Sequence, residues 1–491
     1  MCNRSVGDGA AGDRRTDVKT PGSHTGYLHR GNEPVRHPIM SRNGEELSRE
    51  LGLLSAFAIG VGVMVCAGIF VLPASVAATA GPAAAVSFVL AGFIAAFTAL
   101  SISELGTAMP KAGGAYYYIN DALGPLFGSI AGWGNWIGLA AAVAFYLIGL
   151  GSYTAILLPV PAVELGFYVL SPSQVIALLA GLFFISINYL GAEETGTVQI
   201  AIVIVLVTVL GGFTLLGSVR VDPANLRPFA PPETGGWSGV FPATALVFVS
   251  YLGFAEINTA AEEIENPGRN LPVAVIGSLV FATLLYVLLM IVLMGVIPYE
   301  DVIEFGDVAV VRAAERLFGP LGLVALTVAG LLATASSANA SILASSRINF
   351  AMARDRIIVP ELNEVHPRFE TPYRSIMLTG IFVIAFVLIG DIEVLAKAGS
   401  VLHLIVYGLL NLALIVYRET DVEGYDPDFE APLYPLVPVL GTLFSFGLIA
   451  FMASIEIVLS VLFVVFGVLW YVVYARTTTR QKGILARYLE T

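Results

Sequence analysis

The sequence predicts an all-α integral membrane protein with about 12 transmembrane helices, ten of them arranged as a five-plus-five inverted repeat. Three observations carry this prediction. Of the 491 residues, 57% are apolar and only 13% charged, against about 45–50% and about 25% in soluble domains. The apolar residues fall into runs long enough for a hydrocarbon core about 30 Å thick, which takes roughly 20 residues per helix. Two of those runs, the first and the sixth, are interrupted by glycine at matching places in two blocks of five.

The same arithmetic excludes other classes. With two cysteines, Cys2 in a polar stretch and Cys66 in an apolar run, the chain is no disulfide scaffold. A net charge of −12 has the wrong sign for a nucleic-acid binder. No HExxH, GxSxG or GxxxxGK[ST] pattern occurs, so an enzyme would have no visible carrier of chemistry.

In chain order, residues 1–50 hold no apolar stretch of signal-peptide type, and their Gly, Ser, Asp and Arg content predicts a disordered tail. A first repeat over 51–217 contains spans near 51–72, 83–106, 126–158, 173–190 and 197–217. A second, inverted repeat over 240–417 contains spans near 240–259, 272–297, 318–346, 374–390 and 393–417. Two additional helices lie within 434–475, and 476–491 is a second polar tail. With both termini on one side, 20 of the 25 basic residues fall on that side and four (Arg220, Arg227, Arg312, Arg316) on the other, with Lys397 inside a span. By the positive-inside rule both termini are expected in the cytoplasm, and the membrane in question is the cell membrane. The acidic run Asp421, Glu423, Asp426, Asp428 and Glu430 reads as a solvated loop surface rather than a binding site.

The two interruptions are where a site is expected. The first span runs Gly60-Val61-Gly62-Val63-Met64-Val65-Cys66-Ala67-Gly68, and the sixth runs Phe248-Val249-Ser250-Tyr251-Leu252-Gly253-Phe254-Ala255-Glu256. Either alone is equally readable as close helix packing through small residues. Their matching positions favour discontinuous helices around a midplane site, because unpaired backbone at membrane depth needs a partner.

The run from Ala58 to Gly62 and on through Cys66-Ala67-Gly68-Ile69-Phe70 resembles the amino acid–polyamine–organocation permeases. So do Thr259-Ala260-Ala261-Glu262-Glu263 with Asn266-Pro267, Ala351-Met352-Ala353-Arg354-Asp355, and Ala431-Pro432-Leu433-Tyr434-Pro435, in that order over about 430 residues. The likeness is strongest to the bacterial, archaeal and cationic amino acid transporter branch. It implies a secondary active transporter of amino acids working by alternating access; the alternative is a polyamine or organocation exchanger of the same fold. A channel or receptor would leave the paired interruptions unexplained. The expected partners are a small-molecule amino acid, membrane lipid, and a coupling ion (sodium or proton) or an exchange substrate, with no cofactor and no nucleic acid.

On that resemblance, the amides of Cys66, Ala67 and Gly68 would receive the substrate carboxylate, as free N–H groups at a helix start do. Carbonyls near Val63 and Met64, and from Phe248 and Val249 to Tyr251, would accept from its ammonium. Residues around Gly253 would select the side chain. Phe254 reads as a gate or as core, and Glu256 as a partner for a cationic substrate or as a structural acid. Arginine exchangers of the superfamily carry pocket tryptophans where this chain has Val249 and Ala340. A proton-coupled branch carries a lysine where this chain has Leu206, which favours sodium coupling or exchange. The sodium ligands would be carbonyls of Gly60 and Val63 with hydroxyls of Ser336 or Ser337, serines that also suit helix packing. His403 reads as a hydrogen-bonded structural residue before a proton relay.

Overall fold

A computed structural model describes residues 51–490 except 66, 112, 167, 192–195, 421, 423, 453, 480 and 481. The tail 1–50 and Cys66 therefore lie outside the described residues. The first block comprises α1 (Leu53–Met64), α2 (Ala67–Val71), α3 (Pro73–Ala80), α4 (Ala84–Ala108), α5 (Gly114–Leu123), α6 (Pro125–Leu157), α7 (Pro172–Leu190) and α8 (Gly196–Ser218). A short antiparallel hairpin, β1 (Val163–Leu165) and β2 (Tyr168–Leu170), joins α6 to α7. The second block holds α9 (Val240–Val247), α10 (Gly253–Glu256), α11 (Pro267–Val296), α12 (Tyr299–Phe305), α13 (Ala309–Phe318), α14 (Pro320–Arg354), α15 (Tyr373–Ile389) and α16 (Ile392–Glu419). Among the described residues, α17 (Leu436–Ile449), α18 (Ser454–Trp470) and two short helices, α19 (Arg476–Thr478) and α20 (Ile484–Glu490), follow.

Local chemistry sets many of these boundaries. Helix α7 starts in a capping box, with the Ser171 hydroxyl accepting from the Gln174 amide and Pro172 in the first turn, and stops at Gly191 in a left-handed conformation. Asp391 caps α16 by accepting from the Val394 amide. Helices α6 and α14 each begin with proline after a glycine, where proline's missing N–H costs nothing.

Among the described residues, ten stretches are long and apolar enough to cross a bilayer. The other two expected spans, Tyr373–Ile389 and Leu436–Ile449, are apolar but have only 17 and 14 residues. The most enclosed stretches are Pro232–Glu263 and Ile392–Glu419, while Ile457–Thr478 lies at the outside. Its Val461, Leu462 and Val473 are exposed, as suits a surface solvated by lipid.

The two interruptions differ from each other. In the first, Val65 leaves helical geometry (φ −73°, ψ 56°) while its amide still reaches the Val61 carbonyl. The sixth span is not opened. It continues right-handed from α9 through a 3-10 turn at Phe248–Tyr251, then α10, then a 3-10 stretch at Ile257–Glu263. The expectation of a discontinuous sixth helix is corrected to a tightened one. Its irregularity is absorbed by a neighbour, since the Val249 amide donates to the Ser400 hydroxyl at 2.9 Å.

A buried polar hub lies where α4 and α16 end. Glu104 is fully buried and accepts from Arg418 Nε and Nη2, the Tyr425 hydroxyl and the Ala431 amide, each at 2.7 Å.

Candidate functional site

The two interrupted spans lie against each other. A Cβ on Gly253 would stand 2.8 Å from both the Gly60 carbonyl oxygen and the Met64 nitrogen, so only glycine lets the sixth span reach the α1 backbone there. Gly68 makes the equivalent approach from α2, where a Cβ would be 1.8 Å from Ser250 Oγ and 3.2 Å from Ser250 Cα. That serine hydroxyl is buried and has no hydrogen-bond partner among the described residues. Tyr286 of α11 joins both sides, its hydroxyl bonding to the Met64 carbonyl and lying 3.1 Å from the Ser250 carbonyl.

Beside this junction is a cavity of about 160 Å³. The first span contributes Leu51, Ile59 and Val63 to its wall, and the sixth contributes Glu256, Thr259, Ala260 and Glu263. Asn188 of α7, Gln199 of α8, and Asn339, Ala340, Leu343, Ala344 and Arg347 of α14 complete it. Leu51 pairs with the end of the sixth span, its amide donating to the Glu263 carbonyl at 3.0 Å. One wall is amide-rich: Asn188 Nδ2 donates to Asn339 Oδ1 at 2.8 Å, and Ser336 Oγ donates to Gln199 Oε1 at 2.9 Å. Glu256 is buried and accepts from the Ser341 hydroxyl of α14 at 3.2 Å.

Of the expected substrate contacts, Val63, Glu256 and Ala340 line the cavity. Met64, Gly68, Phe248, Val249, Tyr251, Gly253 and Phe254 do not; they are packed in the junction behind it. Tyr286 sits on the carbonyls of Met64 and Ser250. The Tyr251 hydroxyl donates to the Phe88 carbonyl at 2.7 Å. Phe254 is core, its ring centroid 5.3 Å from that of Tyr407. Ala67 begins α2, and Cys66 lies outside the described residues.

The candidate sodium ligands are split between two places. Ser337 Oγ donates to the Gly62 carbonyl at 3.3 Å, which puts it on the first span. Ser336 turns to Gln199, and Gly60 packs against Ile257 and Ser278. His403 bonds through Nδ1 to the Gly399 carbonyl at 2.8 Å, as a structural histidine would.

Sequence reasoning missed Gln199, Asn339, Tyr286 and Ser400. Gln199 is the only amide side chain and Tyr286 the only tyrosine in their apolar runs. A search for single polar tips in otherwise apolar spans would have found both.

The profile of a family described as "Amino acid permease" matches residues 51–477. The branched-chain amino acid permease BcaP of Bacillus subtilis (strain 168) is 30% identical over 460 residues, covering 90% of this chain and 96% of that one. A methylthioribose transporter of the same organism is 30% identical over 457 residues, with 90% and 97% covered. The vacuolar cationic amino acid transporter 4 of Arabidopsis thaliana is 31% identical over 418 residues, with 79% and 66% covered.

Proposed function

This chain belongs to the amino acid permease family, and from that premise we propose that it is a secondary active transporter carrying amino acids across the cell membrane by alternating access. The observation that carries the reading is the junction of the first and sixth spans, with a cavity opening beside it. Backbone that departs from regular helix at membrane depth is tolerated where it lines a site or is buried in protein. In the transport cycle the amides of Cys66, Ala67 and Gly68 take the substrate carboxylate, and the Met64 carbonyl together with those around Val249 takes its ammonium. A zwitterion pairs with both ends at once. On this reading the cavity is the cytoplasmic half of the path, since its wall includes Leu51, Glu263 and Arg347, which border segments that the basic asymmetry of the loops assigns to the cytoplasm.

The test is uptake into proteoliposomes of labelled leucine, arginine and methylthioribose, each under a sodium gradient, a pH gradient, or with internal amino acid for exchange. Concentrative uptake of an amino acid is expected under the sodium gradient or by exchange. With Leu206 in the fifth span, a pH gradient alone is expected to drive none. Uptake of methylthioribose alone would overturn the amino acid reading, and equilibration without accumulation or exchange would indicate a channel.

Glu256 gives a sharper test of selectivity. Among the described residues its carboxylate accepts from Ser341, and it borders the cavity, so it is placed to meet a cationic side chain. A hydrogen bond between charged groups is worth about 1.5–3 kcal/mol, roughly ten- to hundredfold in affinity. Glu256→Gln is expected to weaken arginine transport by that factor and to leave leucine transport nearly unchanged. Equal loss for both substrates would assign Glu256 to structure or coupling.

A further inference from the structure

Two asparagines meet at the amide-rich wall of the cavity. Asn188 stands in the last turn of α7 and Asn339 midway along α14; they are 5% and 7% exposed, and both line the cavity. Backbone fixes how the pair is oriented. Asn188 Nδ2 donates to the Phe184 carbonyl of its own helix at 2.9 Å, and a carbonyl only accepts, so nitrogen and not oxygen must sit there. The other proton of that amino group goes to Asn339 Oδ1 at 2.8 Å. Asn339 is thereby set with its oxygen toward Asn188 and its amino group turned away. What remains is one donor group, Asn339 Nδ2, and one acceptor, Asn188 Oδ1, neither with a bond among the described residues. Neither is walled in, in contrast to Gln199 Nε2, which is enclosed without a partner against Gly62.

Asparagine bonds between helices hold many membrane proteins together, and one donor with one acceptor is enough for that purpose. It leaves the two open ends unexplained, since polar groups at this depth cost free energy until they are paired. We infer that the pair is a side-chain subsite that reads a carboxamide: the ligand's amino group donates to Asn188 Oδ1 and its carbonyl accepts from Asn339 Nδ2. This inference rests on the transport reading and names glutamine and asparagine as its substrate class. A carboxamide is the side-chain group that carries an amino donor and a carbonyl acceptor on adjacent branches. A carboxylate lacks the donor, guanidinium and ammonium groups lack the acceptor, and an apolar side chain leaves both asparagine ends unpaired. Position agrees with chemistry. Val63, Glu256 and Ala340, all expected substrate contacts, line the same cavity, and Ala340 is the chain neighbour of Asn339. A site built to hydrogen-bond its substrate rejects analogues that strand its own polar groups.

The experiment measures the affinity of the purified full-length protein for glutamine, leucine, arginine and 2-amino-5-methylhexanoate, which has the shape of glutamine with an apolar tip. Glutamine is expected to bind about five- to hundredfold more tightly than that isostere, the equivalent of two neutral hydrogen bonds. In Asn339→Leu, which removes the donor, the ratio of the two affinities is expected to fall several-fold. Wild-type protein that binds the isostere as tightly as glutamine overturns the proposal, and the asparagines then join helices and do no more. Binding of leucine or arginine without glutamine overturns it as well, while the transport reading stands. A ratio in folded Asn339→Leu equal to that of wild type also overturns it, since the preference then comes from elsewhere. If Asn339→Leu does not fold, the wild-type comparison of glutamine with its isostere decides alone. Wild-type protein that binds none of the four would defeat the transport reading itself and this inference with it, an outcome distinct from the others.

Discussion

Gly68→Val is expected to insert in the membrane and to bind no amino acid measurably. Two physical effects converge on that position. A side chain there would collide with Ser250, whose Cβ lies 2.5 Å and whose Cα lies 3.2 Å from the ideal Cβ position. Overpacking of this kind typically costs 1–3 kcal/mol even where neighbours can shift. Here a neighbour is backbone, so α2 would have to move off the sixth span. On the proposed mechanism, that movement also withdraws the amides assigned to the substrate carboxylate. Loss of two charge-assisted hydrogen bonds corresponds to roughly ten- to ten-thousand-fold in affinity.

A double variant separates the two effects. Ser250→Gly removes the Oγ and Cβ that stand 1.8 and 2.5 Å from the added carbon and leaves the Cα at 3.2 Å. Gly68→Ala alone is expected to lose most binding, and Gly68→Ala with Ser250→Gly to recover a large part of it. Cys66→Ala should stay active, since that position is assigned a role through its amide. Normal binding by Gly68→Val, or loss of binding by a well-inserted Cys66→Ala, would refute the backbone carboxylate site.

Glu104→Ala is expected to give the largest loss of stability. The substitution leaves the Arg418 guanidinium, which is only 18% exposed, with the exposed Glu430 carboxylate at 3.7 Å as its remaining acidic partner among the described residues, and strands the Tyr425 hydroxyl and the Ala431 amide. Breaking a buried pair by removing one partner costs about 3–5 kcal/mol where the remaining charge is left uncompensated, and the lower end is expected here because Glu430 remains within reach of Arg418. Thermal unfolding in detergent should show a large fall in melting temperature for Glu104→Ala and for Arg418→Ala. Replacing both by methionine should cost less than the sum of the single changes, since no charge is then left behind. A Glu104→Ala protein that melts like wild type would mean that water reaches the hub and that the pair contributes little.

The hub also shows where sequence reasoning stops. Glu104 and Ala431 are 327 residues apart, and no hydrophobic period relates them. The same holds for Tyr286, which meets Met64 across 222 residues, and for Ser400, which takes the Val249 amide across 151. Each of these residues is visible in the sequence as a polar group in or near an apolar run. Which partner it finds is not.

The sequence by itself determined that the chain is helical and spans a membrane, where its apolar helices lie, the family to which it belongs, and the break after Met64. Those properties follow from local causes: 20-residue apolar runs, proline and glycine at helix ends, and short motifs in fixed order. Tertiary structure decided that the sixth span tightens rather than opens, that Gly68 and Gly253 are contact points between spans, and that Glu256 shares a cavity with Gln199 and Asn339. The reason is that a backbone amide released by a helix irregularity can be satisfied by substrate, by water or by a distant hydroxyl. Only the packed arrangement of the helices selects among them.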